Sequence, residues 1–320
     1  MHTTAESVTL TSQPVTISAS LVGSAPLAEP GPAVDLAVVL PAFNEIDGIE
    51  RTIARIRAVL DTLPYSTELV VVDDGSADGT GARAAATGVR VLTHTVNRGY
   101  GAALKTGILN TNAKAIAIID ADCTYPPESL PLLTARLAQA DMVVGSRPLT
   151  SSGVAWIRRP GKWMLNGFAS YLVGRHIPDL NSGLRVMRRE ALLRYMHLLP
   201  NGFSFTSTIT MALLANGHTV IYEPIVYTKR VGRSKIRASH FFSFMLLVVR
   251  AIVLFNPLKV FLPLGSALFL IGVAKLIQDI ILSNLSETAV MAFLAAIIVW
   301  AVGLLADMMS RLQMQTPWRS

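Results

Sequence analysis

Residues 115–127 read AIAIIDADCTYPP. Five apolar or small residues run into Asp120-Ala121-Asp122, the pattern of a buried parallel strand whose last residues emerge at the carboxyl edge of a sheet. Ligands of open α/β sheets bind at that edge. Two carboxylates two residues apart share one face if the strand continues, and converge on one cleft if the backbone turns. Tyr125-Pro126-Pro127 predicts such a turn, because proline fixes φ and drives the residue before it out of helical space. Two neighbouring anions with no basic residue beside them in sequence require a cation, and a hard divalent ion carrying a diphosphate is the natural one. A DxD alone reads equally well as a helix N-cap plus a solvated loop Asp, so its surroundings decide.

Working outward, the same strand, loop and helix unit repeats on both sides. Leu36 to Leu40 runs into Pro41-Ala42-Phe43-Asn44-Glu45, followed by a helical period through Ile49, Ile53, Ile56 and Leu60. Leu69 to Val72 ends in Asp73-Asp74-Gly75-Ser76, and Asp78-Gly79-Thr80 opens an Ala-rich helix. Val89 to Leu92 forms a third strand, after which Asn97-Arg98-Gly99-Tyr100-Gly101 leads into a helix reaching about Leu109. Beyond the DxD strand a helix runs from Glu128 to about Ala138, and Met142 to Val144 makes a fifth strand ending at Gly145-Ser146-Arg147. Short connections between such units predict a parallel sheet covered on both faces, with the loops after the strands gathered along one edge. Glu45, Asp73, Asp74, Asp120, Asp122 and Arg147 all fall in those loops. A nucleotide held through a metal accounts for so many carboxylates in one row.

The chain has 320 residues, 51% of them apolar, and a formal charge of +7. That is too apolar for an ordinary soluble protein, and the excess collects after residue 240. Phe241 to Phe255 is interrupted by Arg250 and is too short to span, so it predicts an interfacial helix. Val260 to Leu282 is long enough to cross a bilayer although Lys275, Gln278 and Asp279 lie in its last third; Lys275 and Asp279 either pair or mark the far interface. Ala289 to Ala306 is an uninterrupted apolar second span. Lys259 flanks one side of this hairpin and Arg311 and Arg319 the other, while Glu287 stands between the spans, so the positive-inside rule places the domain and the C-terminus in the cytoplasm of a plasma membrane. The single cysteine, Cys123, permits no internal disulfide and reads as a small residue in a tight loop. Residues 1–34, rich in Ser, Thr, Ala and Pro without a sustained period, read as a disordered tail rather than a signal peptide.

LPAFNE at 40–45, VVDDGSADGT at 71–80, NRGYGAALKTG at 97–107, DADCTYPPE at 120–128 and MVVGSR at 142–147 together resemble, in order and spacing, the family 2 glycosyltransferases of the GT-A fold. More narrowly the chain resembles the dolichol-phosphate mannosyltransferase-like branch, whose bacterial members glycosylate undecaprenyl or related polyprenyl phosphates. The resemblance covers residues 36–237 and, more loosely, the membrane hairpin. It implies an α/β domain over 35–240 with a Rossmann-like, mostly parallel sheet and helices on both faces. A juxtamembrane helix over 241–257, a transmembrane hairpin over 258–311 and a tail over 312–320 follow.

The same resemblance implies the site. Pro41, Phe43 and Glu45 would contact the nucleoside, Asp73 and Asp74 the base and ribose, and Asp120 the ribose and the metal. Asp122 would ligate Mg2+ or Mn2+ on the sugar diphosphate. Thr124 stands where many mannosyltransferases of the branch carry Gln; a hydroxyl is shorter than an amide, so either a water completes the metal's shell or the metal is held more weakly. RVGRSK at 230–235 resembles a flexible loop that closes over the diphosphate. Arg147 and Arg159, joined by Arg233 and Lys235, would ligate the acceptor phosphate, with Asp122, Arg147, Arg230 and Lys235 carrying the catalysis. Fixed positive charge is needed there because a lipid phosphate brought to a sugar diphosphate adds anion to anion. Arg158, Lys162, Arg185, Lys229 and Arg237 add to the same run of cations, part of which reads equally as a patch for anionic headgroups.

A phosphate monoester is already largely dianionic at neutral pH, with a second pKa of about 6, so no general base is required. Glu223 and Asp179 therefore read as structural or loop-positioning, and His176, His197, His218 and His240 fall in no metal-ligand spacing. Residues 201–215, NGFSFTSTITMALLA, predict a helix capped by its Ser/Thr cluster beneath the acceptor region. The implied partners are a nucleotide diphosphate sugar such as GDP-mannose or a UDP-hexose, a dolichyl, undecaprenyl or decaprenyl phosphate, the membrane and a second copy of the chain, with no nucleic acid. A processive polysaccharide synthase is disfavoured by the lack of a QxxRW sequence and by only two spans. An idle membrane scaffold would have no use for DxD, Arg147 and RVGRSK together.

Overall fold

The computed structural model describes residues 33–147, 166–167, 169–171, 173–226, 256–282 and 287–315. The expected tail up to residue 32, the cations Arg158, Arg159 and Lys162, the whole of RVGRSK with Lys229 and Arg237, and the interfacial helix to residue 255 lie outside the described residues.

Seven strands make one sheet: β1 (Ala33–Ala42), β2 (Thr67–Asp73), β3 (Arg90–Thr93), β4 (Asn112–Ile118), β5 (Met142–Ser146), β6 (Arg185–Arg188) and β7 (Val220–Pro224), in the order β3-β2-β1-β4-β6-β5-β7. β1 begins at Ala33, inside the expected tail. β1, β2, β3 and β4 run parallel, as does β5 with β7. β6 lies antiparallel between β4 and β5. The sheet is thus mostly parallel, and its interior antiparallel strand was not legible in a four-residue segment with Arg at both ends.

Helices α1 (Ile49–Leu60), α2 (Thr80–Ala86) and α4 (Leu130–Arg136) cover one face, where Ile49, Ile53, Ile56 and Leu130 meet Leu36, Val38 and Val71. Helices α3 (Tyr100–Leu109), α5 (Arg189–Arg194) and α6 (Phe205–Ala215) cover the other, where Leu104, Ile108 and Phe205 meet Val39, Val72 and Ile116. Apolar residues on both faces of each central strand are what a doubly covered parallel sheet demands. α3 lies so close to β1 and β2 that a Cβ on Gly107 would fall 2.4 Å from Val39 Cγ1 and 3.1 Å from Val72 Cγ2. Gly107→Ala is therefore expected to destabilise the domain by about 1 kcal/mol or more, overpacking outweighing the gain in helix propensity, and to lower its melting temperature.

Two long apolar helices follow, α7 (Leu258–Ile281) and α8 (Glu287–Gln315). They interlock through glycine notches: Gly265 receives the indole of Trp300, Gly272 the ring of Phe293, and Gly303 the ring of Phe261. Close approach at small residues is how helices associate where no hydrophobic drive separates them from lipid. Their outer faces expose Leu262, Leu270, Ile277, Ile298 and Leu305. Lys275 donates to Gln278 Oε1 at 3.0 Å, while Asp279 is buried within the hairpin. The hairpin is tied to the α/β domain at its base, where Lys259 Nζ donates to the carbonyl of Tyr171 at 3.2 Å and Val260 packs against the α3–α6 core.

Candidate active site

The loops after β1 and β2 are laced together by local hydrogen bonds. Asn44, at φ 53°, donates its N–H to Ser76 Oγ at 2.9 Å, and its side-chain Oδ1 accepts from Ala77 N–H at 3.0 Å. Glu45 N–H donates to Thr80 Oγ1 and Ile46 N–H to Asp78 Oδ2. Asp78 in turn caps Thr80 through both its N–H and its hydroxyl. Asn and Asp are the residues that tolerate left-handed backbone and bond their neighbours, which is why LPAFNE and DDGSADGT build this corner. Within it Pro41 is buried in β1, whereas Phe43 and Glu45 are partly exposed at the edge.

Asp73 and Asp74 lie at the end of β2 but are 4% and 3% exposed. Asp73 Oδ1 accepts from Ser76 N–H at 3.1 Å. Asp74 Oδ2 accepts from Gly99 N–H at 2.8 Å, and its Oδ1 from Arg98 N–H at 2.9 Å and from His94 Nδ1 at 2.6 Å. His94 Nε2 then meets Thr106 Oγ1 at 2.9 Å. Asp74 thus acts as a clamp that fixes the 97–99 loop against α3, with His94 holding the clamp. Nothing near it in the chain singles out His94, which has neither metal-ligand spacing nor a carboxylate close by in sequence. His94→Leu is expected to weaken nucleoside diphosphate binding about tenfold with little change in turnover at saturation, and His94→Gln to recover part of the loss; calorimetric titration and steady-state kinetics read both.

β4 ends at Ile118, so Asp120 and Asp122 sit in a loop, and the turn comes at Cys123 with φ 59° before the prolines are reached. That loop is docked on α1: Thr52 Oγ1 donates to Ala121 O at 3.1 Å, and Cys123 Sγ lies 2.9 Å from the same hydroxyl. Cys123 is the small loop residue expected of it. Thr124, fully buried, donates both its hydroxyl and its N–H to Asp122 Oδ1, at 2.6 and 3.2 Å. The Thr124 hydroxyl therefore orients Asp122.

Asp120 Oδ1 accepts from Tyr100 Oη at 2.9 Å. Gly183 packs so close that a Cβ there would lie 2.2 Å from Asp120 Oδ2. Burial first, and the neighbouring Asp122 carboxylate second, push the Asp120 pKa up to about 6, against the pull of Tyr100, Arg147 and Arg185. Two carboxylates this close are relieved when a cation joins them. No cluster of three or more His, Cys, Asp or Glu with metal-ligand geometry occurs among the described residues. Two carboxylates fit an Mg2+ or Mn2+ whose remaining positions go to phosphate oxygens and water, the way these ions are bound when a nucleotide carries them.

Arg147 follows β5 and is held in a fork by Asp179, with Nε donating to Oδ2 at 2.7 Å and Nη2 to Oδ1 at 2.9 Å; its own N–H donates to Oδ2 at 3.1 Å. Asp179 is fully buried, so it positions Arg147 as a loop-organising acid would. Arg147 is close enough to Asp120 to stabilise its charge, which brings the acidic and basic halves of the edge together. Arg185 is different: it is fully buried in β6, and it donates to the carbonyls of Ser182 and Thr206 and to Thr210 Oγ1. It is an internal brace and not a cation of the cleft. Glu223 is structural, paired with Arg136 at 2.9 Å, and His218 bridges Asp141 and Tyr195.

A row of carboxylates at the carboxyl edge of a mostly parallel sheet, with a fixed arginine on the same edge, is the setting in which a glycosyltransferase works. The chain belongs to glycosyl transferase family 2, whose profile matches residues 37–196, and a GtrB C-terminal hairpin profile matches residues 256–312. It is 32% identical to the polyprenol monophosphomannose synthase of Mycolicibacterium smegmatis, over 63% of this chain and 81% of that one. It is 31% identical to the undecaprenyl-phosphate mannosyltransferase of Micrococcus luteus, over 62% and 85%. To the undecaprenyl-phosphate 4-deoxy-4-formamido-L-arabinose transferase of Sodalis glossinidius it is 27% identical, over 75% and 74%. The glucosyl-3-phosphoglycerate synthase of Mycobacterium tuberculosis, solved with Mn2+, UDP and phosphoglyceric acid, superposes with a TM-score of 0.57 at 22% identity, over 68% of this chain and 78% of that one, and so shares the fold.

Proposed function

We propose that this protein is a membrane-bound, inverting glycosyltransferase that moves one sugar from a nucleotide diphosphate sugar to a polyprenyl phosphate. The observation that carries the reading is the meeting of Asp120 and Asp122 with the Asp179-held Arg147 at one sheet edge, on a chain whose C-terminus is an apolar hairpin. Pro41, Phe43, Glu45 and the Asp73–Asp74 wall receive the nucleoside. Asp120 and Asp122 hold Mg2+ or Mn2+, which when bound neutralises charge on the leaving diphosphate. Arg147, with Arg159, Arg233 and Lys235, draws in the acceptor phosphate, and Arg230 closes over the donor.

An oxygen of the lipid phosphate attacks the anomeric carbon, the bond from that carbon to the diphosphate breaks, and the nucleoside diphosphate leaves. One in-line displacement inverts the configuration. The nucleophile arrives as a dianion, so no side chain needs to take a proton. The hairpin holds the edge at the headgroup plane, with the catalytic domain and both Arg311 and Arg319 on the cytoplasmic side of the plasma membrane. Membranes carrying the protein, incubated in turn with radiolabelled GDP-mannose, UDP-glucose and UDP-galactose and then extracted with organic solvent, test the reading. Label in the lipid fraction with one donor supports it, and label confined to the aqueous phase with every donor overturns it.

A further inference from the structure

Phe203 is 73% exposed, yet it does not belong to a loosely held loop. The 200–203 segment is pressed onto the start of α3 by backbone contacts that only glycine permits. Gly99, at φ +102°, would place a Cβ 2.5 Å from Asn201 O, and Gly101 would place one 2.2 Å from Pro200 O. Ala102 N–H donates to Asn201 O at 3.0 Å, and Lys105 Nζ donates to Asn201 Oδ1 at 3.0 Å. These contacts set the Phe203 ring against Tyr100, stacked with centroids 5.8 Å apart and planes 15° from parallel. Tyr100 is the residue whose hydroxyl rests on Asp120. A phenyl ring is thus fixed against the residue that bonds Asp120 while most of it faces solvent.

A single exposed ring is ordinary on a protein surface, but one held rigidly beside the site by backbone contacts offers a ligand an apolar face at little cost in ordering. Its position narrows what that ligand is. The nucleoside loops follow β1 and β2, whereas the segment carrying Phe203 joins β6 to β7, on the half of the sheet that also carries Arg147. The ring itself rests on Tyr100, whose hydroxyl reaches Asp120, so on the proposed function its neighbours are the groups that would hold the diphosphate and the sugar. The electron-rich face of an aromatic ring suits the weakly positive C–H hydrogens that a pyranose presents on one side. Resting on the function proposed above, we infer that Phe203 is a specificity-determining residue whose outer face receives the C–H face of the transferred sugar. The Ser/Thr cluster expected to cap α6 makes no side-chain cap at Ser204: Ser207 Oγ donates back to Ser204 O, and Thr206, Ser207 and Thr208 are buried in packing.

The test uses the full-length protein in detergent with Mn2+ present, titrated with two matched pairs, UDP-glucose against UDP and GDP-mannose against GDP. Wild-type protein binding neither member of either pair would sink the proposed function itself. With a pair bound by the wild type, Phe203→Ala is expected to weaken the nucleotide sugar about tenfold and the matched diphosphate less than twofold. Phe203→Trp, which keeps an aromatic face, is expected to restore sugar affinity to within about threefold, and this also controls for misfolding. Equal weakening of both ligands, or of neither, overturns the inference. So does a Phe203→Ala enzyme whose KM rises for undecaprenyl phosphate and not for the nucleotide sugar, since the ring would then cover the lipid.

Discussion

Asp122→Ala is expected to lower kcat/KM by about three orders of magnitude, roughly 4 kcal/mol of transition-state stabilisation, while the protein still inserts in membranes and melts within a few degrees of wild type, the loss of the Thr124 contact accounting for the difference. Asp122 has two jobs in the loop after β4, and the variants separate them. Its Oδ1 accepts the Thr124 hydroxyl and N–H, which holds the turn, and on the proposed function its charge would meet the cation that the diphosphate needs. Asp122→Asn keeps an oxygen for Thr124 and removes the charge. Both variants should be equally inactive if charge is what matters. An active Asp122→Asn enzyme would show that the residue serves only to shape the loop, and an active Asp122→Ala enzyme would remove it from the site.

Gly183→Ala carries the second large effect, through a residue that contacts no substrate. The added Cβ would lie 2.2 Å from Asp120 Oδ2 and 2.8 Å from Oδ1. Neither side yields easily. Asp120 is held by Tyr100, and the 182–183 turn is pinned by Gly183 N–H to Tyr125 Oη at 2.7 Å, by Ser182 Oγ to Gly145 O and by the Arg185 guanidinium on Ser182 O. The short carboxylate must rotate. Mn2+ affinity is expected to fall at least tenfold and turnover about a hundredfold, with a melting temperature within a few degrees of wild type. Titration of Mn2+ in the presence of UDP, followed by calorimetry or by the spin resonance of the ion, reads the first effect. Unchanged Mn2+ affinity would mean that Asp120 is not a ligand.

The elements that build the donor half were legible because each is local. Strand bodies such as LAVVL and AIAII are apolar runs, and the loops after them carry Asn, Asp, Gly and Ser in the patterns that make tight turns, so the acidic edge could be laid out from the chain alone. What escaped depends on contacts distant in sequence. β6 has no hydrophobic alternation to announce it and exists because β4 and β5 leave a gap that it fills. Arg185 looked like one more cation for the acceptor, but its strand turns it into the core, where three carbonyls and hydroxyls replace its water. His94 and Phe203 carry no motif. Their significance lies in partners 20 and 103 residues away in the chain, Asp74 and Tyr100. Asp179 was placed correctly as a positioning acid because the chemistry left no proton for it to take.

On the proposed function a single sugar passes directly between two anions at the bilayer surface. Purified full-length protein reconstituted with undecaprenyl phosphate, Mn2+ and the donor that labels membranes tests it by mass spectrometry of the extracted lipid. The predicted product is one hexose joined to the lipid phosphate, absent when Mn2+ is chelated and absent with Asp122→Asn. Sugar appearing instead as a polymer, or as free hexose with the lipid phosphate unchanged, would contradict it.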